Sequence, residues 1–357
     1  MTSGPPAAAS ETPQATKPHG FTAELRDAVS MRGVLLVVGV LALQLGFVLS
    51  YIGAFHAPTP HRIPVAVVAP AQAADRVVDQ INSMKGDTVK AHTVGSEGQA
   101  RAQILDRTVD AAVIVNPKGT TDTLLVASAG GPAVSSTAAQ IAQSVEQAQK
   151  RHITVSDIRP PAASDGRGMS SFYLVLGWIV GGYLAAAILG MASGARPANL
   201  HRTLIRLGTL AVYAVLSGLG GAIIADPVLG ALTGHFAALW ALGSLIVFAA
   251  AATTVALQVL WGILGIGVTI VLFVVLGNPS AGGAYPAALL PPFWRAIGDW
   301  LPPGAGTTAV RNTIYFSGHA LTQPLGVLGL YAALGSLLAV IASALHIRRT
   351  RQRDVAI

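Results

Sequence analysis

An apolar run in the second half of the chain is too long for the core of a soluble domain. Residues 207–294 are 88 consecutive positions with one formally charged side chain, Asp226. Inside a bilayer, backbone amides and carbonyls must bond to each other, and α-helices satisfy them within one segment. The run therefore predicts several membrane-spanning helices. Only 11% of all residues are charged, against roughly 25% in soluble domains, which supports the same conclusion.

Apolar segments divide the chain into predicted membrane spans. The uninterrupted stretch 236–277 fits two spans of about 20 residues, because a hydrocarbon core is about 30 Å thick. We expect a tight cytoplasmic turn near Ala256, Leu257 and Gln258 to separate these two spans. The predicted fold is an α-helical polytopic membrane protein with six transmembrane helices, the last five within a domain over 170–346. The spans are predicted at 33–55, 170–193, 206–226, 236–255, 258–277 and 324–346.

The net charge of +7 is concentrated in the segments that we assign to the cytoplasm. These segments carry ten basic and four acidic residues, whereas residues 56–168 carry eleven basic and ten acidic residues. Cytoplasmic loops of membrane proteins are enriched in Lys and Arg. The excess of Ala, Gly and Arg is typical of proteins from high-GC bacteria. We therefore predict a multi-pass protein in the lipid bilayer of the bacterial plasma (inner) membrane, with both termini cytoplasmic and no nucleic-acid partner.

The terminal segments differ in composition from the membrane spans. Residues 1–20 are rich in Pro, Ala, Ser and Thr, so we expect a disordered cytoplasmic tail. Residues 21–32 place apolar and charged side chains as an amphipathic helix on the membrane surface would; the alternative is that they continue the first span. Residues 347–357 form a basic cytoplasmic tail.

Residues 56–168 alternate short β-branched runs with amphipathic stretches and have a balanced charge. This pattern predicts a compact extracytoplasmic α/β domain, inserted between transmembrane helices 1 and 2. Strands are predicted at 63–69, 89–94, 110–115, 123–128 and 153–158, and helices at 73–84, 98–106 and 138–151.

The segment 278–323 is apolar but interrupted by prolines, and it is rich in aromatic residues. It is too broken for a full span and too apolar for a hydrated loop. One interpretation is a re-entrant or interfacial segment that covers the outer end of a pathway. The other is an interfacial loop whose aromatic rings lie at the headgroup level. Both interpretations depend on Asn278, Pro279, Gly282, Gly283, Phe293, Trp294 and Trp300.

The order of these segments resembles a known family of membrane transporters. A first span, an outer α/β domain containing IPVAVVA and VDAAVIVNP, and five further spans are similar to permease subunits of ABC-type exporters of the type-two family. The sequence NPSAGG from Asn278, followed by a proline-broken segment and a final helix, resembles the phage infection protein (YhgE/Pip) relatives. The resemblance implies a homodimer, or a heterodimer with a related permease, driven by a separate ATPase subunit.

The loop 193–206 between the second and third predicted spans is basic. In the family that the chain resembles, the corresponding loop couples the permease to its ATPase. The alternative is that the basic residues only fix the orientation and bind anionic headgroups. The residues concerned are Arg196, His201, Arg202 and Arg206.

Polar and small residues within the predicted spans suggest two further features. Asp226 is the only acidic residue of the apolar run, and intramembrane carboxylates are candidates for function. Pro227 predicts that the helix stops before it, so we favour a position for Asp226 at the outer interface. Two pairs of small residues four positions apart predict close helix contacts; they are Gly177 with Gly181 and Ser217 with Gly221.

The sequence contains no recognisable catalytic pattern. It has no GxxxxGK phosphate loop, no GxSxG, no HExxH and no cysteine. We therefore expect no enzymatic activity, no cofactor and no metal in this chain. The predicted function is that of a permease subunit that moves an amphipathic or hydrophobic substrate outward with energy from the separate ATPase. The alternative is a stand-alone envelope receptor or scaffold whose outer domain binds a ligand or partner.

Overall fold

The structure is a computed structural model that describes residues 30–195, 197 and 199–355, without the side chains of Arg32 and residues 346–355. The predicted tail 1–20, nearly all of the predicted interfacial helix 21–32, and Arg196 lie outside the described residues. So do the side chains of the basic tail, although its backbone is helical as far as Val355.

The chain is mostly helical, with strands confined to residues 63–157. In chain order, the elements are α1 (Met31–Phe55), β1 (Ile63–Val68), α2 (Ala71–Asn82), β2 (Val89–Thr93), α3 (Glu97–Leu105), β3 (Ala111–Ile114), β4 (Thr121–Val126), α4 (Pro132–Ala148), β5 (His152–Asp157), α5 (Ser170–Ser193), α6 (Leu200–Ile223), α7 (Phe236–Trp261), α8 (Leu264–Ser280), α9 (Pro292–Gly298), α10 (Pro302–Tyr315) and α11 (Thr322–Val355).

Within the described residues, five helices are long and apolar enough to cross a membrane, namely α1, α5, α6, α7 and α11. This is the pattern of a multi-pass membrane protein. Helix α8 is apolar but shorter, and residues 271–277 within it form a π-helix. At 1.5 Å per residue its length is about 25 Å, less than a hydrocarbon core of about 30 Å. The structure thus has five such helices and one shorter apolar helix where the sequence predicts six spans.

The connection between α7 and α8 differs from the predicted one. The prediction of a turn near Ala256, Leu257 and Gln258 is wrong, because α7 continues through these residues to Trp261. Gln258 is fully buried inside the helical region, so the helix cannot open there without exposing it. The turn occurs at Gly262, whose φ of 64° is a left-handed conformation that glycine adopts without a steric penalty.

The strands form one mixed sheet in the order β2-β1-β3-β4-β5. Strand β1 is parallel to both β2 and β3, and Val65 pairs with Ala91 on one side and Ala111 on the other. Strands β3 and β4 are antiparallel, whereas β4 and β5 are parallel. The crossovers through α2, α3 and α4 are the helical connections that strands running in parallel require.

The two faces of the sheet belong to different hydrophobic cores. Ile63, Val65 and Val67 face α2 and α4, as alternation along a strand requires. Ala66 points to the other face, which joins a core that continues into the helices and includes Trp178 and many others. The sheet region therefore shares a core with the helical region and is not structurally independent of it.

Helix α7 lies in the centre of the helical region and packs against α5, α6, α8, α10 and α11. Glycines allow the close approach: a Cβ at Gly182 would lie 2.5 Å from the Val247 carbonyl oxygen, and one at Gly218 would lie 2.5 Å from the Ser244 amide. Of the four predicted small residues, Gly221 faces the Trp178 ring closely. A Cβ at Gly177 would meet open space, so a close contact there is wrong.

Candidate functional site

The α5–α6 loop is held together by a buried arginine. The side chain of Arg206 is on the second turn of α6 and is only 6% exposed. Its Nη2 donates to the Gly194 carbonyl at 2.7 Å and to the Ser193 hydroxyl at 3.0 Å, and its Nη1 donates to the Ala195 carbonyl at 3.4 Å. Asn199 caps the N-terminus of α6, where its side chain accepts the Arg202 amide at 2.9 Å. The Arg206 bonds fix residues 193–195 against the second turn of α6.

The predicted basic residues of this loop therefore have different environments. Arg206 is not part of the exposed surface of the loop, because it is buried and its guanidinium donates to residues 193–195. His201 and Arg202 are exposed on the first turn of α6 and are accessible to a partner or to lipid. The fourth residue, Arg196, lies outside the described residues.

The loop lies at the end of the helices that is farthest from the sheet. Helix α5 starts beside the sheet region, where Gly168 lies against Pro132 at the start of α4, and it ends at Ser193. The Thr203 hydroxyl donates to that of Ser343 at 2.8 Å, which places the start of α6 beside the last turns of α11. The loop and the basic C-terminal segment are thus at the same end.

The segment 278–323 is broken into short helices that pack on protein. Asn278–Ser280 is the buried last turn of α8, and the chain turns after it at Gly282, which has a φ of 72°. The turn that the NPSAGG sequence predicts therefore begins three residues later than expected, because Asn278–Ser280 continues the helix. Gly283 lies against the Phe172 ring.

The aromatic residues of this segment divide into buried and exposed groups. The Trp294 indole donates to the Ser50 hydroxyl at 3.1 Å and lies against Gly53, so it attaches the segment to α1. Phe293 and Trp300 are 53% and 64% exposed, as residues at a membrane interface would be. Trp294 thus packs against α1, whereas Phe293 and Trp300 remain on the surface.

Helix α10 contains a buried arginine that sequence analysis did not single out. Arg311 is 5% exposed, its Nη2 donates to the Gly282 carbonyl at 3.2 Å, and its Nε has no hydrogen-bond partner. Nearby, the Tyr315 hydroxyl donates to Asp165 at 2.8 Å and Arg107 lies 4.6 Å from the centre of the Phe316 ring. These contacts join the sheet region to α10. The sequence signal that could have identified Arg311 is its charge within a mostly apolar segment.

Asp226 is half-buried near the end of α6. The helix does not stop before Pro227 as predicted, because residues 224–228 form one turn of π-helix that includes this proline. The Leu229 amide reaches back to the Ile224 carbonyl at 3.0 Å, a wider turn that accommodates the missing proline donor. The chain leaves the helix at Gly230, with a φ of 62°.

The sheet region contains a cavity of about 190 Å³ between the sheet and helices α2 and α4. Its walls are mostly aliphatic side chains from all five strands and both helices. The polar lining consists of the neighbouring Asp122, Glu146 and Arg151, and of Gln80 and Gln149. Sequence analysis did not predict this site, because its charged residues come from β4, the end of α4 and the turn before β5.

The three charged residues form a compact cluster. Arg151 Nε donates to Asp122 at 2.9 Å and lies 3.6 Å from Glu146 Oε2. Asp122 also accepts the Asn116 amide at 2.7 Å, whereas Glu146 Oε2 is buried without a hydrogen-bond partner. Burial and the neighbouring Asp122 raise the pKa of Glu146 above its usual value of 4.5, while Arg151 opposes the shift. The hydrogen bond to Asp122 raises the pKa of Arg151.

Comparisons with known proteins identify no relative: no family model, no curated protein and no solved structure matches this chain. Among the residues that the structure describes, no group of three or more His, Asp or Glu side chains is placed to hold a metal ion.

Proposed function

We propose that this chain is the permease subunit of an ABC-type exporter in the bacterial plasma membrane. In this proposal the sheet region is extracytoplasmic, both termini are cytoplasmic and α8 is a sixth span. A second copy, or a related permease, completes a dimer. The cargo is amphipathic or hydrophobic, and a separate ATPase subunit supplies the energy for outward movement.

The observation that supports this proposal is the construction of the α5–α6 loop. A coupling element must transmit movement between an ATPase and the helices, so it needs a defined shape and an exposed recognition surface. The Arg206 bonds to Gly194 and Ser193 provide the first requirement. The exposed His201 and Arg202 provide the second.

The charge distribution supports the orientation. Residues 348–353 contain four arginines, and they continue α11 at the end where the α5–α6 loop is found. Positive charge at one end of a helical bundle favours the cytoplasmic side for that end. The sheet is then on the opposite side of the membrane.

Copurification from native membranes tests the proposal. We expect a mild-detergent pull-down of the tagged full-length protein to recover a nucleotide-binding subunit in stoichiometric amounts. The variant Arg202→Glu should recover less of it, because the reversed charge is on the exposed surface of the loop. The matched control Arg101→Glu reverses an exposed charge on α3, in the sheet region, and should leave recovery unchanged.

Two results would contradict these assignments. Recovery of the chain without any nucleotide-binding subunit, under conditions that preserve a known ABC complex, argues against the exporter. Equal recovery with Arg202→Glu and the unaltered protein argues against this loop as the coupling element while leaving the exporter in place.

The cavity beside Glu146 favours a second candidate function. A stand-alone envelope receptor or scaffold would use a binding site in its outer domain and would need no ATPase. This alternative predicts that the pull-down recovers only the chain itself or other envelope proteins.

A further inference from the structure

The cavity in the sheet region has the features of a binding site for a small amphiphile. Helix α2 has an apolar face formed by Val77, Val78 and Ile81, which packs against the core of this sheet face but remains only partly buried. An amphipathic helix normally buries its apolar face against the core. Here the α2 side chains Val77 and Ile81 line the cavity, and Ile141 and Val145 of α4 line its other side.

The size of the cavity fits a small aliphatic body. A packed protein core has few voids larger than a water molecule. The volume of about 190 Å³ compares with roughly 150 Å³ for an engineered apolar cavity that binds benzene. The aliphatic walls disfavour bulk water as the occupant, since buried water needs several polar partners.

The polar lining determines what kind of headgroup fits. The Asp122 oxygens already accept bonds from Arg151 and Asn116. Glu146 is 7% exposed and lines the cavity, and its Oε2 makes no hydrogen bond, only a 3.6 Å ion pair with Arg151. Two carboxyl groups face one guanidinium, so the cluster complements a hydrogen-bond donor with positive charge. A negatively charged headgroup would add a third negative charge to a cluster in which Asp122 and Glu146 already outnumber the one guanidinium.

We propose that this cavity binds a small amphiphile with an aliphatic body and a hydrogen-bond-donating, preferably cationic, headgroup that pairs with Glu146. The aliphatic body lies between α2, α4 and the sheet. The proposal does not depend on the exporter, because it concerns only the cavity and its lining residues.

The natural absence of cysteine allows a direct test in the full-length protein. The variant Ile141→Cys places one thiol in the cavity wall, and Ser136→Cys places one on the exposed side of the same helix. Each variant is reconstituted in phosphatidylcholine nanodiscs and labelled with methyl methanethiosulfonate, and mass spectrometry gives the labelling rate. Octylamine, octanol and octanoate serve as probes that share a chain length and differ in headgroup.

We expect octylamine to slow labelling of Ile141→Cys about tenfold at roughly ten times its dissociation constant, from mass action. Octanol should protect less and octanoate least. Labelling of Ser136→Cys should not change with any probe. Adding Glu146→Gln to Ile141→Cys should abolish the preference for octylamine over octanol, and adding Ala142→Phe should abolish protection by filling the cavity.

Several results would overturn the proposal. Protection by octanoate that equals or exceeds protection by octylamine is one, and protection that persists after Ala142→Phe is another. The third is an Ile141→Cys thiol that never reacts with the reagent, because a ligand needs the same access to the cavity. Changing the nanodisc lipid shows whether the ligand is a membrane lipid or a free amine. Protection in phosphatidylethanolamine nanodiscs without added amine identifies a membrane lipid, whereas protection only by added octylamine identifies a free amine.

Discussion

Replacing Arg206 by alanine should release the α5–α6 loop while leaving the helices folded. The guanidinium makes its two shorter bonds to the Gly194 carbonyl and the Ser193 hydroxyl, at 2.7 Å and 3.0 Å. Hydrogen bonds from a charged donor contribute about 1.5–3 kcal/mol each, and bonds from one group are not additive. We therefore expect the free energy of loop opening to fall by about 2–4 kcal/mol in this variant.

Hydrogen exchange with mass spectrometry measures this change locally. Since 1.4 kcal/mol is a factor of ten, the amides of the loop should exchange about 30- to 1000-fold faster in Arg206→Ala, up to the rate of an open chain. The matched control is Arg202→Ala, four residues earlier on the exposed side of α6. Equal exchange rates in the two variants would refute the argument that Arg206 holds the loop, and with it the basis for a rigid coupling element.

Four further substitutions test other parts of the structure by thermal unfolding in nanodiscs. Gly182→Ala should destabilise the protein by about 1–3 kcal/mol through overpacking, whereas Gly177→Ala should be neutral or stabilising by about 0.5–1 kcal/mol; the reverse order would contradict the helix contacts. Tyr315→Phe should cost about 1–3 kcal/mol by removing the bond to the buried Asp165 carboxylate, and an unchanged melting temperature would argue against that bond. The raised pKa of Glu146 means that the folded protein binds this proton more tightly than the unfolded chain, so its contribution to stability falls as pH rises above about 4.5; Glu146→Gln should remove that decline, and identical pH profiles would disprove it.

The sheet region shows what local sequence patterns can predict. The runs at 63–69 and 110–115 predict strands because they are short, rich in β-branched residues and alanine, and bounded by turn signals. Strands β1 and β3 lie within these runs. Helix α4 begins six residues earlier than predicted, at Pro132. Val134 is four residues before Ala138 and seven before Ile141, so the helical periodicity continues into the first turn, and proline at the first helical position was a second usable signal.

The candidate sites were less accessible to sequence reasoning because they depend on contacts between distant residues. A basic loop gave no reason to separate Arg206 from Arg202, since the burial of Arg206 follows from its carbonyl partners in the folded loop. The cluster of Asp122, Glu146 and Arg151 forms only when β4 and β5 pair across the α4 crossover. Hydropathy likewise could not place the turn at Gly262, because residues on both sides of it are apolar.

The central position of α7 restricts where a cargo could travel. Residues 249–256 of this helix are all buried by the surrounding helices, and small side chains fill the space between them. The middle of a single copy is therefore solid, and transport through it would require α7 to leave its neighbours. A substrate of the proposed exporter would instead follow the outer surface of the helices, where large apolar side chains of α6 and α11 are exposed. Such a route places the cargo between two copies or against lipid, so the dimer partner and the bilayer would form part of its path.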